Sequence, residues 1–345
     1  MKGAQKFGGK REFVARGLKR CGALFLFDRL PAKDSLLVLN HHRIGNPEDD
    51  LFDPAVFSAT TEELDEQISV LKRQHAIVTL EEAFAFANGT SKDRTPRCRV
   101  LITFDDGYLD NYESAFPVLR SHGVQGVFFL CTDHVGSNYI PWWDRIAYLV
   151  KTAKRGQFTL RYPAELTIDL DQIGLDVSLR DILKLYKRPE NTDGDRFVRE
   201  LKHACHGAEP PGTQRRFLNW DEAAEMIRGG MAIGSHTQTH PVLSQLGPEK
   251  QFEELAGARA ILQQKLGIEA DALAYPVGAK TSFTAITEKL AQEIGYRAAF
   301  SYHGGVNLPS AMKRFDLKRV HVGSQSMDRF RVQAGVCRLT GKYWP

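Results

Sequence analysis

The stretch Val100–Gly123, VLITFDDGYLDNYESAFPVLRSHG, decides the fold. Val100–Phe104 is a short apolar run bounded by charge, the mark of a buried strand, and the segment from Asn111 to His122 has helical character and stops at Gly123. A strand running into a charged turn and then a helix is a βα unit. Between them stand two adjacent carboxylates, Asp105 and Asp106, followed by Gly107. Successive residues of a regular strand point to opposite faces, so both acids can serve one site only where the strand breaks. Gly107 permits that break, although DDG on its own is simply a turn signal.

Outward from this unit the alternation repeats. LLVLNHH (36–42), VQGVFFL, MAIGSH, ALAYP, YRAAFSY and LKRVHV read as strands. TEELDEQISVLKRQ reads as a helix with Thr61 at its N-cap and Leu64, Ile68 and Leu71 on one face. DEAAEMIRGG, PEKQFEELAGARAILQQKLG and SFTAITEKLAQEIG supply further helices. The pattern predicts an α/β fold with a parallel sheet, open or closed into a barrel. It falters between Trp143 and Trp220, where turn-rich pieces such as KRPENTDGD interrupt weak periodicity. This insertion, about 144–219, is expected to be helical in parts and to cover the mouth of the site.

Composition excludes some functions. A formal charge of +4, from 46 basic and 42 acidic side chains, gives no case for nucleic-acid binding. Cys21, Cys98, Cys131, Cys205 and Cys337 form no C-x-x-C pair, which suggests neither a disulfide framework nor a thiolate zinc site and fits a reducing compartment. Residues 1–34 read as a basic extension ahead of a single domain, 35–345. The extension is expected to be solvated and partly disordered; a peripheral contact with anionic lipid is the second reading and a cleaved signal the third. Its apolar run, CGALFLF, is far shorter than the roughly 20 residues needed to cross a bilayer.

Ligands of such sheets bind at the carboxyl ends of strands. Asp105 and Asp106 lie at one such end, and His236 and His240, in MAIGSHTQTHPVL, lie at another. Two histidines four apart plus an aspartate from a neighbouring strand make a facial metal site, where a cation polarises a carbonyl and acidifies water. That cation also offsets the repulsion between the two acids, leaving one as ligand and the other as base.

TFDDGY (103–108), GSHTQTHPVLSQL (234–246) and, less specifically, ALAYPVGAKT (272–281) resemble the first three motifs of the polysaccharide deacetylases, carbohydrate esterase family 4 or the NodB homology domain. The likeness runs from about Leu36 to Val322. It implies a distorted (β/α) barrel with seven strands and a divalent metal, often zinc, with cobalt or nickel as alternatives. By motif position Asp105 is the expected catalytic base, Asp106, His236 and His240 the metal ligands, and the backbone amide of Val277 the oxyanion donor. Many members carry an arginine where this chain has Ala274, so Arg145 or Arg319 must hold the base if anything does. The expected general acid is His321, with His303 as its competitor. LNHHRIG resembles the YHRI opening of a bacterial subgroup and places His42 at a strand end, where a structural role is its plainer reading.

Other conspicuous residues are read structurally. HACH (203–206) lacks an acidic or cysteine partner at ligand spacing; Trp142 and Trp143 either line a glycan subsite or pack under the insertion; Trp220 starts a helix. The resemblance thus implies a metal-dependent hydrolase that removes N-acetyl groups from an amino sugar in a polysaccharide or glycan precursor. A cytoplasmic or inner-leaflet, lipid-linked precursor is the expected substrate. The alternatives are a hydrolase of a non-sugar amide on the same fold and a non-catalytic glycan-binding module.

Overall fold

Short runs of Val, Leu, Ile and Phe form seven strands: β1 (Ser35–His41), β2 (Cys98–Phe104), β3 (Gly126–Leu130), β4 (Ala232–Ser235), β5 (Ala272–Ala274), β6 (Ala298–Phe300) and β7 (Arg319–His321). The computed structural model describes residues 10–20, 30–212, 215–323 and 325–343. Every neighbouring pair from β1 to β6 is parallel and in chain order, and β7 pairs with β1. The ring closes just before β7: Leu317 bridges Phe300, its N–H donating to the Ala299 carbonyl while its own carbonyl accepts from Ser301, each at 2.9 Å. The expected seven-stranded (β/α) barrel is therefore the architecture found, with a two-residue eighth strand, Ala76–Ile77, pairing parallel with β2 beside the ring.

Strand alternation sorts the residues. Leu36, Val38, Leu101, Val127, Phe129, Ala274, Phe300 and Leu317 form one buried cluster, the inner face, joined by the helix Leu80–Ala87. That helix stops the N-terminal ends of the strands, with the Arg99 and Arg297 guanidiniums over Phe86 and Phe84. Leu37, Leu39, Val100, Ile102, Phe104 and Phe128 face outward against Leu64, Ile68 and Leu71 of the helix Thr61–Gln74. Its N-cap is Thr60 rather than Thr61, because Thr60 and Glu63 exchange side-chain and backbone bonds in a capping box.

The insertion is more ordered than its sequence indicates. It contains the helices Trp142–Lys151, Leu175–Tyr186 and Gly194–Cys205 and an antiparallel hairpin, Gln157–Leu160 with Leu166–Asp169. Its own core gathers Ile146, Leu149, Phe158, Ile168, Ile182 and Phe197 around Trp143. The helix Lys10–Arg20, expected to be solvated, packs on Met327–Thr340 and buries Ala15 and Glu12. Residues 1–9 and 21–29, including Cys21, lie outside the described residues. Among the described residues no helix is long and apolar enough to cross a membrane.

Candidate active site

Three strand ends meet in one cleft, and each bends by an unusual backbone. After β2, Asp105 continues the inner-face alternation, then Asp106 and Gly107 turn at φ +74° and +76°. After β4, Thr237 and His240 adopt φ +67° and +59°, and after β5, Val277 adopts +63°. Left-handed backbone is uncommon outside glycine and strained for a β-branched residue, so its concentration in these loops marks a place where geometry has been held against local preference. The break at Asp106 is what lets two neighbouring acids face one space. The β4 loop is held from behind, where the Glu254 carboxylate accepts the N–H groups of Gln238 (2.9 Å) and Thr239 (3.0 Å). His236 and His240 thus reach their common site from a loop rather than a helix.

Asp105 is buried in a network from three strands. Arg319, inward on β7, donates to both carboxylate oxygens, at 2.7 and 2.8 Å. Asn40, inward at the end of β1, donates to Asp105 at 3.2 Å and accepts from Arg319 at 2.8 Å. The Arg319 Nε–H reaches the Ser301 carbonyl at 3.0 Å, which fixes the plane of the fork. Burial alone would raise the Asp105 pKa, but Arg319 and then His236 outweigh it and hold the carboxyl below its ordinary range. Of the two arginines weighed for the place left by Ala274, Arg319 takes it. Arg145 pairs instead with Glu209 at the surface, 3.1 Å.

Asp106, His236 and His240 present one ligand atom each, all within 4.8 Å of one another. The Asp106 Oδ1 lies 3.5 Å from Nε2 of both histidines and, though buried, has no hydrogen-bond partner. A buried carboxylate oxygen left unsatisfied between two imidazole nitrogens fits a divalent cation, since an empty site of this kind is costly. His236 bonds the Ala274 carbonyl through Nδ1 at 2.8 Å, which turns Nε2 toward the site. Burial, followed by His236, pushes the His240 pKa down to about 3, which keeps the ring neutral as a ligand must be. Among the described residues this is the one such cluster, and HACH forms none.

The remaining candidates separate. Val277 lines the cleft, and its N–H meets no protein acceptor among the described residues, while Gly278 closes a tight turn onto the Pro276 carbonyl at 2.6 Å. His42 and His321 both line the cleft. Burial lowers the pKa of each; the charges next felt by His42 are Asp106, Asp105 and Arg319, whereas those felt by His321 are His42, His41 and Arg329. The His321 ring is open to water inside the cleft, with protein on its other sides, and its Nδ1 bonds the Tyr302 hydroxyl. His303 is not brought to the cleft: it pairs with Asp316 at 2.8 Å beside a separate cavity.

Both tryptophans line the cleft and both are packed. Trp143 donates to the Tyr108 hydroxyl at 2.8 Å and sets its ring against His240, 4.5 Å between centroids. Trp142 stacks on Tyr186 of the insertion at 4.1 Å. Asp144, at the helix start, accepts from Arg216 at 2.8 Å and from the Tyr108 hydroxyl at 3.2 Å. Trp220 opens its helix behind the Asn219–Glu222 capping box. Sequence reasoning missed Asn40 and Tyr302. Asn40 carried a faint signal, a polar residue breaking the apolar run of β1; Tyr302 carried none.

The cleft encloses about 340 Å³ and holds Asp105, Asp106, His236, His240 and Val277 in its walls. Its fold recurs in solved structures. The Streptococcus pyogenes deacetylase PplD, in complex with acetate, superposes with a TM-score of 0.54 at 17% identity, covering 88% of this chain and 98% of that one. IcaB from Ammonifex degensii gives 0.53 at 21%, covering 88% and 97%. Among curated proteins, the poly-beta-1,6-N-acetyl-D-glucosamine N-deacetylase of Staphylococcus epidermidis is 35% identical over 115 residues, 30% of this chain and 39% of that protein. YxkH of Bacillus subtilis, named for polysaccharide deacetylation, is 23% identical over 248 residues, 71% of this chain and 56% of its own. The chain spans about half the length of these curated relatives. The sequence model of the polysaccharide deacetylases matches residues 92–299, and with that match over most of the barrel the chain belongs to the polysaccharide deacetylase family.

Proposed function

We propose that this chain is a metal-dependent hydrolase that removes N-acetyl groups from an amino sugar of a polysaccharide or glycan precursor. The observation that carries the reading is the pairing of Asp105, clamped by Arg319, with the convergent atoms of Asp106, His236 and His240 in one cleft. A divalent cation held by those three residues, zinc first and cobalt or nickel as alternatives, supplies Lewis-acid polarisation of the amide carbonyl and acidifies water there.

The chain's own groups do the rest. Asp105, ionised and fixed in plane, takes the proton from the attacking water. The Val277 N–H donates to the oxygen that becomes negative as the carbonyl turns tetrahedral; such a donor contributes about 3 kcal/mol. A histidine then protonates the departing amine. His42 is favoured over His321, because the charged groups next to it are Asp106, Asp105 and Arg319 of the reacting centre, whereas those next to His321 are His42, His41 and Arg329. A cytoplasmic or inner-leaflet setting belongs to the same proposal, and cell fractionation tests it.

The test is acetate release from N-acetylglucosamine oligomers, the sugar in the name of the Staphylococcus relative, by metal-stripped protein, zinc-loaded protein and Asp105→Asn. Release that needs metal and vanishes in the variant supports the reading. Tight metal binding lost in His236→Ala, with no acetate from any oligomer or lipid-linked amino sugar, would sink it in favour of a non-sugar amide. Comparing His42→Ala with His321→Ala assigns the acid: the true donor is expected to cost about 10²–10⁴ in kcat with metal affinity retained.

A further inference from the structure

The insertion turns a basic row toward the site. Arg180, Lys184 and Lys187, four and then three residues apart along the helix Leu175–Tyr186 and its C-cap, share one face and line the cleft with Asp106, His236 and His240. This charge is little used within the protein. Arg180 is exposed and has no hydrogen bond or ion pair among the described residues. Lys184 reaches only Asp181 of its own helix, at 2.9 Å. Lys187 is half-buried, its ammonium 5.8 Å from the Trp142 ring centroid, and its acidic neighbour is Asp53. In the same cleft Asp105 is already matched by Arg319, and Asp106 is one of the three residues proposed to hold the cation.

The wall continues past the site. Arg180 and His321 also border an adjoining cavity of about 420 Å³, which has Arg329 among its lining residues beside Asp176. A neutral N-acetylated sugar offers this row no counter-charge beyond Asp181 and Asp53, the acids already beside Lys184 and Lys187. A phosphate ester offers anionic oxygens to pair with this row, up to two charges and three terminal oxygens in a monoester and one charge and two in a diester.

We propose that the amino sugar carries a phosphate ester, held by Arg180, Lys184 and Lys187 while the N-acetyl group lies at Asp105; this rests on the deacetylase reading. The phosphate belongs either to a soluble sugar phosphate or to a polyprenyl-linked sugar, and the cation row reads the chemistry they share.

Two measurements test it. In the first, kcat/KM for acetate release is compared between a neutral N-acetylglucosamine oligomer, N-acetylglucosamine 1-phosphate and polyprenyl-phosphate-linked N-acetylglucosamine in detergent micelles. A preference of tenfold or more for a phosphorylated substrate is expected, shrinking in Arg180→Ala/Lys184→Ala and at high salt. Which phosphorylated arm leads identifies the source. In the second, inorganic phosphate and the sugar phosphate are titrated into metal-free protein, where no metal ion can hold them, and binding is expected to weaken at least fivefold in the double variant. Binding that behaves so without acetate release keeps the anion site and defeats the deacetylase reading. Acetate release with no phosphate preference, or phosphate binding indifferent to the variant, overturns the anion site and leaves deacetylation standing.

Discussion

At the scale of residues, the site turns on how Asp105 is held. Arg319 is fully buried, and its partner carboxylate is equally so. Replacing it by a neutral residue of similar length leaves an uncompensated charge, a change that costs about 3–5 kcal/mol. Arg319→Met is therefore expected to lower the unfolding free energy by that amount in urea melts and to reduce kcat at least a hundredfold; Arg319→Lys, which keeps the charge but not the fork, is expected to fall between. Val277 separates backbone from side chain. Val277→Gly relieves the left-handed strain and keeps the N–H, so activity is expected to survive with stability within about 1 kcal/mol of the parent. Val277→Pro removes the N–H and forbids the angle, and a hundredfold or greater loss of kcat in steady-state assays is the expected result. The convergence of Asp106, His236 and His240 was legible in the sequence because strand ends and the i, i+4 spacing are local facts. The choice of Arg319 over Arg145 was not, since it depends on which face of β7 looks inward and on closure of the ring through Leu317.

At the scale of elements, the strands announced themselves as short apolar runs between turn residues, and helix ends as glycines or capping boxes. The insertion did not, because its hairpin, Gln157–Asp169, is made of two four-residue strands, QFTL and LTID, whose alternation is too short to stand out, and whose inward side chains find their core on the helix Gly194–Cys205. The same packing ties it to the cleft. Phe197 sits in the insertion core with Trp143, whose ring edge meets His240. Phe197→Ala is expected to cost about 3–5 kcal/mol, and to raise KM in the acetate assay as the cover loosens. Limited proteolysis that cuts the variant first within residues 157–210 would confirm that the loss is local; cutting spread evenly over the barrel would refute it.

At the scale of the whole molecule, stability depends on buried histidines staying neutral. Burial pushes His41 and His75 down to about 4 from the ordinary 6.5. Between those values the unfolded chain takes up protons that the folded one refuses, so stability present above pH 6.5 drains away as pH falls toward 4, by on the order of 3 kcal/mol for fully buried His41. Asp144, raised by burial to about 6, works in the opposite sense below that pH, because the folded state there holds its proton more tightly. His134 and His321, also pushed down to about 4, act with these two histidines, Asp53 and Asp110 are raised in the sense of Asp144, and the larger histidine set leaves a net loss. Tm is expected to fall between pH 6.5 and 4, with a gentler slope in His41→Gln; a flat profile over that range would contradict the assignment.

One arrangement bears on how the protein is made. Asn40, Asp105, His236 and His240 leave the ribosome before Arg319, the residue that completes the Asp105 network from the last strand of the ring. The three residues proposed to hold the cation, Asp106, His236 and His240, are therefore all translated while Asp105 still lacks its guanidinium. A nascent chain stalled ahead of Arg319 is expected to take up metal yet release no acetate, so competence arrives as a late event of synthesis, after the cation has somewhere to sit.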